Sequence, residues 1–254
     1  MPDSITNPRC PICDNVSPLF DVVDFNKSCD EAKGKFLTLS GIPIYYNLCS
    51  VCNFSYSPEI WSWSLVDFEQ RIYNNEYRDI DPDYVEARPR NQAVNLTTLF
   101  GRHANTIRHL DYGGGDGLLS SLLRDAGFDS SSYDPFVNKT MDVNELGTFD
   151  LISAIEVFEH VPNVNALMET LRALLKPAGI VFFTTLVSDG SIVKDKRLTW
   201  WYAAPRNGHI SLFSRKSLTI LAGKHGFNLG SFNDGAHLLW KTVPGWASHL
   251  IRTG

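Results

Sequence analysis

From about residue 106 onward, short apolar runs alternate with amphipathic stretches along the chain. We assign the apolar runs to strands at 106–112, up to 133, at Phe149–Ile155, 180–186, 227–232 and 236–242. Between them, leucines recur at helical spacing, first from Leu118 to the stop at Gly127 and again from Val164 to residues 176–179, which close the second helix. This alternation predicts a doubly wound α/β sheet with parallel strands, closed by an antiparallel hairpin.

The first 57 residues carry a different pattern, which is typical of a small β-rich unit. Strand-type residues occur at 36–39 and 42–48, on either side of a turn at Ser40-Gly41. A unit of this size buries too little apolar surface to fold without an additional cross-link, such as a bound metal ion. Between 61 and 100 the sequence is aromatic and polar, and we expect helices there that lead into the main domain.

Four of the five cysteines fall into two tight pairs, Cys10-Pro-Ile-Cys13 and Cys49-Ser-Val-Cys52. Two such knuckles can present four thiolates tetrahedrally, which is the closed coordination of a structural zinc site. We therefore predict that all four bind zinc. The alternatives are redox-active pairs, which would need a βαβ context, and unligated buried cysteines. We expect Cys29 to be a partly buried thiol without special chemistry.

Composition limits the classes of function. The chain has 254 residues, of which 43% are hydrophobic and 20% charged, so it is long enough for one α/β domain and a minor module. No apolar run reaches the roughly 20 residues of a membrane span, and residues 1–6 do not resemble a signal peptide, so we expect a cytoplasmic protein without a membrane partner. A formal charge of −5 disfavours nucleic acid as a partner.

The most informative stretch is His109-Leu-Asp-Tyr-Gly-Gly-Gly-Asp-Gly, where the first strand enters a glycine-rich turn. Gly113 and Gly115 let the backbone approach a ligand at the carboxyl end of a strand, where open α/β sheets bind cofactors. A dinucleotide fingerprint would place a third glycine at Leu118. Asp111, two residues before the first glycine, suits a ligand with an amino group. The alternative is a tight structural turn.

A second carboxylate, Asp134, stands at the end of the second predicted strand. A carboxylate at that point can accept hydrogen bonds from both hydroxyls of a ribose. Alone, Asp134 is as well explained as a turn residue. Together with Asp111 and the glycines it predicts a nucleoside that bears a polar tail, such as an adenosyl ligand.

These motifs, with Tyr-Asp-Pro-Phe at 133–136 and the runs at 149–161 and 174–181, resemble the class I S-adenosylmethionine-dependent methyltransferases. The resemblance covers about 77–242 and implies a Rossmann-like, seven-stranded sheet. It implies that the methionine part of S-adenosylmethionine is lined by Asp111, Gly113 and Gly115, the ribose is held by Asp134, and the adenine lies near Asp142 and Val143. It further implies that Ile155 and Glu156 wall the site, and that Tyr77, Tyr84 or Arg88 closes over the cofactor, with Arg88 suited to its carboxylate.

The combination with a two-knuckle N-terminus is similar to methyltransferases of sugar, polysaccharide and natural-product biosynthesis. We therefore expect a zinc-binding module at 1–57, a helical linker or lid over the cofactor site at 58–104, and the methyltransferase domain at 105–254. The expected substrate is a small molecule, such as a sugar nucleotide or a glycan precursor. Trp200-Trp201-Tyr202 follows the fifth strand, where aromatic faces suit a sugar or a planar ring. The alternative for these aromatics is a hydrophobic lid or a dimer contact.

The pattern Glu156-x-x-Glu159-His160, with His209 some fifty residues later, resembles the divalent-metal site of ubiquinone-type and small-RNA O-methyltransferases. That resemblance implies magnesium as an additional cofactor, although Val161 replaces the second histidine of the RNA enzymes. Without a metal, His209 or His160 would serve as a general base. The catalytic candidates are thus His209, His160 and Glu156, and the alternative is that the histidines are structural.

The sequence therefore predicts a small-molecule methyltransferase and leaves two alternatives open. One is a magnesium-assisted O-methyltransferase that acts on a hydroxylated aromatic or an RNA 2′-hydroxyl. The other is a non-catalytic binding protein with a cofactor fold, against which the intact glycine and acidic motifs argue. The sequence sets no expectation for the oligomeric state.

Overall fold

The computed structural model describes residues 8–251, and the chain divides into two compact units. The cysteine unit comprises Met1–Pro82, Phe158–Asn165 and Leu186–Leu221. The sheet unit comprises Asp83–Val157, Ala166–Thr185 and Ala222–Gly254. Both units are thus assembled from segments that are distant in sequence.

The strands, in chain order, are β1 (Leu19–Asp24), β2 (Pro43–Leu48), β3 (Ser55–Tyr56), β4 (Arg108–Tyr112), β5 (Asp129–Tyr133), β6 (Phe149–Ile155), β7 (Leu175–Thr184), β8 (Ser211–Leu212), β9 (Asn228–Ser231) and β10 (Ala236–Trp240). The α-helices are α1 (Pro58–Trp61), α2 (Leu65–Arg71), α3 (Tyr77–Ile80), α4 (Ala87–Phe100), α5 (Leu118–Asp125), α6 (Val164–Leu174) and α7 (Arg215–Lys224). Among residues 8–251, no helix combines the length and the hydropathy that a bilayer crossing requires.

The sheet unit contains a mostly parallel sheet with the strand order β5-β4-β6-β7-β10-β9. Strands β5, β4, β6 and β7 run parallel, whereas β10 is antiparallel to both β7 and β9. The chain leaves β4 toward β5 on one side and returns to β6 on the other. This reversal is the switch point at which open α/β sheets bind ligands. The predicted Rossmann-like α/β fold class is confirmed.

The predicted number of seven strands is wrong for the part of the chain that is described, where the sheet has six. Residues 137–148 form turns and a short 3-10 helix, Val143–Leu146, that Asp142 caps at its N-terminus. The few apolar residues there are poorly covered, since Val137 is 54% exposed and Met141 is 44% exposed. The segment therefore has no buried face to lay against the sheet, and β5 remains the edge strand.

Helices α4 and α5 pack together over the core of the sheet unit. The helix predicted to start at Leu118 and stop at Gly127 is confirmed as α5, and Gly127 takes a φ of +90° just after its end. The core contains Leu96, Phe100, Leu119 and Leu123, together with residues of β6, β7 and β10. Burial of each such side chain stabilises the fold by about 1.5–3 kcal/mol. This packing fixes α5 and, with it, the glycine turn that precedes it.

The helix predicted to begin at Val164 and to close before 176–179 is confirmed as α6, whereas the start predicted for the next strand at residue 180 is wrong, because β7 begins at Leu175, directly after α6. Leu175 pairs with Phe149 of β6, and Ile180 pairs with Leu151. The register between these two pairs is irregular, so the segment that contains Pro177 bulges while the strand continues.

The cysteine unit contains an antiparallel sheet with the order β1-β2-β3-β8 among its described residues. Its fourth strand, β8, comes from far downstream and pairs Leu212 with Ser55. The strand predicted at 36–39 is wrong, because these residues form no strand and leave Phe36 73% and Leu39 78% exposed. β2 pairs instead with β1 at Leu19–Asp24, where four of the six residues are partly covered.

Candidate functional site

The glycine turn after β4 combines a buried carboxylate with open space. Asp111 is 2% exposed. Gly115 has a φ of +52°, and a Cβ built there would meet no described atom within 4 Å. A Cβ on Gly114 would instead collide with the Asp111 carboxylate and the Ser132 hydroxyl. Gly114 is therefore a site residue that the sequence analysis did not single out, although it stands inside the Gly-Gly-Gly run.

The Asp111 carboxylate has an unusual electrostatic environment. Its Oδ1 accepts a hydrogen bond from Ser153 Oγ at 2.8 Å. Burial raises the pKa of Asp111 to about 7, the Ser153 bond opposes this rise, and the negative charge of Asp134 adds to it. A cation that enters beside Asp111 would restore its ionised form. The carboxylate is thus suited to bind a ligand ammonium group.

Asp134 lies just beyond the end of β5, beside the same turn. Gly115 N–H donates to Asp134 Oδ2 at 3.1 Å, and Phe136 N–H donates to Oδ1 at 2.8 Å. The Asp134 amide in turn donates to Asn138 Oδ1 at 2.9 Å. Since β4 and β5 are adjacent and parallel, their carboxyl ends bring Asp111 and Asp134 to one edge of the sheet. The backbone orients Asp134 before any ligand arrives.

Four more candidates lie in the sheet unit. Asp142 is exposed and accepts from Asn144 N–H at 2.9 Å, and Val143 begins the short 3-10 helix that follows. Ile155 ends β6, next to β4. Glu156 follows with a φ of +52°, and its N–H donates to Thr184 Oγ1 at 2.9 Å. Positive φ is rare for residues other than glycine and is found disproportionately at functional sites.

The three residues expected to close over the cofactor do not all belong to the same unit. Tyr77, in α3 of the cysteine unit, is buried, and its hydroxyl donates to the carbonyl of Asn207 at 3.2 Å. Arg88 lies in the first turn of α4, in the sheet unit, and is partly buried. Tyr84 ends the 3-10 helix Pro82–Tyr84 and is also partly buried.

The four cysteines of the two knuckles converge in the cysteine unit. Their sulfur atoms all lie within 4.8 Å of one another, with Cys10 Sγ 3.5 Å from Cys52 Sγ and Cys13 Sγ 3.4 Å from Cys49 Sγ. Zinc–sulfur bonds of about 2.3 Å in a tetrahedron place the sulfurs about 3.8 Å apart. The four residues therefore fit a structural zinc ion in both number and spacing.

Thiolate chemistry agrees with this geometry. A hydrogen bond from the Cys52 thiol lowers the pKa of Cys10 to about 5, although burial opposes the shift. The same hydrogen bond, and then burial, raises the pKa of Cys52. One sulfur of the pair is thus held as the thiolate, which is the form that binds zinc.

A second cluster in the cysteine unit contains Glu159, His160 and His209, whose side-chain donor atoms lie within 4.8 Å of one another. His209 Nδ1 lies 2.8 Å from the carbonyl oxygen of Tyr202. Because a carbonyl can only accept, this contact places the proton of neutral His209 on Nδ1 and leaves Nε2 as the basic nitrogen. The Tyr202 hydroxyl donates to Glu159 Oε1.

Two further residues that the sequence analysis missed build this cluster. The Tyr73 hydroxyl is 3.2 Å from His160 Nδ1. Gly208 has a φ of +89°, and a Cβ there would fall 2.8 Å from His160 Nδ1, so only glycine admits the ring. Cys29, expected to be a plain thiol, is partly buried with its Sγ 3.7 Å from His209 Nδ1. The sequence carries no motif that would identify Tyr73 or Gly208, because their role depends on contacts with residues that are distant in sequence.

Magnesium does not suit this donor set. Mg²⁺ prefers oxygen ligands in an octahedron, whereas the cluster offers two imidazole nitrogens and one carboxylate. Nitrogen donors favour borderline metals such as zinc instead. The expected additional cofactor thus finds no support in the chemistry of Glu159, His160 and His209.

Comparisons with known proteins agree with the fold and the glycine turn. A family model described as "Methyltransferase domain" matches residues 84–231, which is more than half of the chain. A ubiquinone biosynthesis O-methyltransferase of Paraburkholderia xenovorans is 41% identical over 54 residues, covering 21% of this chain and 23% of that protein. The same enzyme of Bordetella avium is 31% identical over 103 residues, covering 31% of this chain and 42% of that protein. The matches span less than half the length of these relatives.

Among solved structures, the 1,6-didemethyltoxoflavin-N1-methyltransferase of Burkholderia thailandensis, with bound 1,6-didemethyltoxoflavin and S-adenosylhomocysteine, is similar with a TM-score of 0.49. It shares 16% sequence identity, and the match covers 77% of this chain and 93% of that chain. The chain belongs to the methyltransferase domain family, as the family match shows. The membership predicted from the sequence is confirmed.

Proposed function

We propose that the chain is an S-adenosylmethionine-dependent methyltransferase that acts on a small molecule. The observation that carries this proposal is the pair of carboxylates, Asp111 and Asp134, at the carboxyl ends of adjacent parallel strands beside the open space at Gly115. The family match and the names of the relatives support the same activity.

In this proposal, each residue of the sheet-unit site holds one part of the cofactor. Asp111 binds the ammonium group, the backbone at Gly113 and Gly115 admits the methionine part, and Asp134 accepts from the ribose hydroxyls. Asp142 and Val143 flank the adenine, Ile155 and Glu156 wall the site, and Arg88 pairs with the carboxylate. A role for Tyr77 at the cofactor stays a prediction from the sequence. When bound, the cofactor supplies a methyl group on a positively charged sulfur.

We assign proton transfer to the histidine cluster. His209 Nε2 takes the proton from the acceptor group, while its Nδ1–H stays on the Tyr202 carbonyl and fixes the ring. His160, held by Tyr73, positions the acceptor, and a catalytic role for Glu156 stays a separate prediction. Positioning supplies most of the rate, because methyl transfer requires the nucleophile in line with the methyl group.

For the acceptor, we propose a sugar nucleotide or glycan precursor, supported by the aromatic segment at Trp200 and Trp201, of which Trp201 is 37% exposed. A hydroxylated aromatic is the second candidate, which the names of the curated relatives favour. We further propose that the four cysteines hold structural zinc in a cytoplasmic protein, because their thiols are free of disulfides.

The first test is calorimetric titration with S-adenosylmethionine and S-adenosylhomocysteine. We expect saturable binding of both by the wild type and at least tenfold weaker binding by Asp134→Ala, because the ribose loses its acceptor. Asp129→Ala is the matched control, since Asp129 lies at the opposite end of the same strand. If the wild type binds neither ligand, or if both variants bind like the wild type, the cofactor assignment is wrong.

The acceptor is tested separately, by following S-adenosylhomocysteine release in the presence of sugar nucleotides or of hydroxylated aromatics. Turnover with the sugars alone supports the first acceptor class. Turnover with the aromatics alone replaces it with the second.

A further inference from the structure

We propose that a buried series of hydrogen bonds in the sheet unit, here named the polar relay, orients and stabilises the ionised Asp111 carboxylate, with His109 as a positioning residue. The inference rests on the proposed function, in which Asp111 binds the cofactor ammonium group. The polar relay runs through six residues: Arg124, Ser120, Ser130, His109, Ser153 and Asp111.

The outer half of the polar relay begins at the surface and ends inside β4. Arg124, exposed at the end of α5, donates from its Nη1 to Ser120 Oγ at 3.0 Å. Ser120 Oγ lies 2.8 Å from Ser130 Oγ, and Ser130 Oγ lies 2.8 Å from His109 Nδ1. Ser120 and His109 are fully buried, and Ser130 is nearly so.

The inner half links His109 to the proposed cofactor site. His109 Nε2 lies 3.0 Å from Ser153 Oγ, on the adjacent strand β6, and Ser153 Oγ donates to Asp111 Oδ1 at 2.8 Å. Both Ser153 and His109 have no exposed surface. A polar side chain in the middle of a central strand costs free energy unless it is fully hydrogen-bonded, and His109 is bonded at both ring nitrogens.

The chemistry of each group fixes the direction of every proton on the inner half. An ionised Asp111 can only accept, so Ser153 must donate to it and must accept from His109 Nε2–H. Burial lowers the pKa of His109 to about 3, so the ring is neutral and carries one proton. Nδ1 is therefore an acceptor.

The hydrogen bonds of the outer half have the same direction. Since His109 Nδ1 accepts, the Ser130 hydroxyl donates to it and accepts from the Ser120 hydroxyl. The Arg124 guanidinium, which only donates, supplies the outermost bond. All donors thus point toward Asp111, and hydrogen bonds aligned in this way polarise one another in a low-dielectric interior.

Asp111 also experiences repulsion from a neighbouring negative charge. Asp134, just beyond the end of β5, is negative and raises the pKa of Asp111 further, beyond the rise caused by burial. From β6, Ser153 is the group that lowers it. His109 cannot touch the cofactor, because it is buried behind Ser153, so any effect on binding must pass through the Ser153 hydroxyl.

The test compares two conservative variants of His109. The amide of His109→Gln reaches the place of Nε2 and can still donate to Ser153, whereas the shorter amide of His109→Asn reaches only the place of Nδ1. The Asp111 titration midpoint is measured by carboxylate ¹³C NMR in the protein without cofactor, with Asp111→Asn to assign the signal. We expect the midpoint to rise by about one pH unit in His109→Asn and to stay near the wild-type value in His109→Gln.

Binding provides the second measurement. Calorimetry with S-adenosylhomocysteine at pH 7 should show about fivefold weaker affinity for His109→Asn, recovering toward wild type at pH 9 as Asp111 ionises. A merely structural histidine would lower the thermal stability of both variants without moving the Asp111 midpoint, and equal midpoints would overturn the polar relay. Should wild-type protein bind no cofactor while the midpoints still differ, the proposed function fails and the polar relay stands.

If the His109 variants do not fold, Ser153→Ala and Ser153→Thr replace them. Alanine removes the hydroxyl that donates to Asp111, and threonine keeps it. A raised Asp111 midpoint in Ser153→Ala alone supports the last bond of the polar relay, and identical midpoints in the two variants contradict it.

Discussion

At the scale of single residues, the site depends on side chains whose environment changes their ordinary chemistry. Asp111 is nearly fully buried yet must carry charge to bind an ammonium group, and its pKa is raised to about 7. A carboxyl group whose folded pKa exceeds its unfolded value contributes stability that is fully present below the unfolded pKa, near 3.8, and is lost as the pH rises to and through the folded pKa of about 7. Above neutral pH, Asp111 therefore destabilises the protein without cofactor.

The first prediction follows from that sign. Asp111→Asn keeps an acceptor for Ser153 but removes the buried charge. The free energy of unfolding of the cofactor-free variant, relative to the wild type, should therefore be higher at pH 8.5 than at pH 5 by a few kcal/mol. Urea unfolding at the two pH values measures the difference. Asp129→Asn, on an exposed residue of β5, should show little change. An equal effect of Asp111→Asn at both pH values would disprove the titration.

The second prediction concerns His209. If its Nε2 is the general base, His209→Gln should lower kcat by a factor of about 10²–10⁴ and leave binding of S-adenosylhomocysteine unchanged. Steady-state rates, measured with an acceptor that the wild type methylates, report kcat. Calorimetry reports the binding of S-adenosylhomocysteine. His249→Gln, on an exposed histidine, serves as the control. Unchanged kcat in His209→Gln would assign the ring a structural role.

A third prediction uses the close approach at Gly114. Its missing Cβ leaves room for the Asp111 carboxylate, so Gly114→Ala should displace that group and weaken cofactor binding at least tenfold. Gly223→Ala, in α7 with no described atom near its Cβ, should instead stabilise the protein by about 0.5–1 kcal/mol. Wild-type affinity in Gly114→Ala would show that the turn adapts.

At the scale of elements, patterns that depend on local chemistry were predictable. The apolar runs marked six strands of the main sheet, and the seventh came only from the family resemblance; residues 137–148 lack the apolar face to form it. The glycines and acids around β4 and β5 stood out because a strand end with close backbone approach needs these residue types. By contrast, β1, Tyr73 and Gly208 depend on partners far along the chain, which periodicity cannot reveal.

The fourth prediction concerns the two cysteine knuckles, of which the first precedes β1 and the second lies between β2 and β3. Removing one proposed ligand with Cys49→Ser should reduce zinc below one ion per chain and lower the melting temperature, because a bound ion would cross-link two segments that are distant in sequence. Elemental analysis and thermal unfolding measure both effects. Cys29→Ser removes the thiol outside the knuckles and should keep full zinc content. Wild-type protein without zinc would refute the site.

At the scale of the whole molecule, both compact units are built from three sequence segments each. The proposed cofactor residues of the glycine turn lie in the sheet unit, and the cysteine and histidine clusters lie in the cysteine unit. The division into 1–57, 58–104 and 105–254 stays a prediction. A domain confined to 105–254 would have to fold without residues 1–104, whereas β8 pairs with β3 of the first segment.

The fifth prediction decides between these views. A chain of residues 105–254 lacks β3, so Ile210, Leu212 and Phe213, all fully buried in the whole protein, would lose the partners of β8. We expect this fragment to be less stable than the full chain and more sensitive to proteolysis near residue 212. Cooperative unfolding and full-chain protease resistance in the fragment would support the three-part division.

The pairing of β3 with β8 also bears on synthesis at the ribosome. Ser211 follows Tyr56 by 155 residues, so at about 5–20 residues per second the early strands emerge roughly ten to thirty seconds before their last partner. During that interval the β3 strand of the nascent chain has an unpaired edge, and exposed strand edges promote aggregation. Early metal capture by the four cysteines would hold the growing hairpin in register until the final strand arrives.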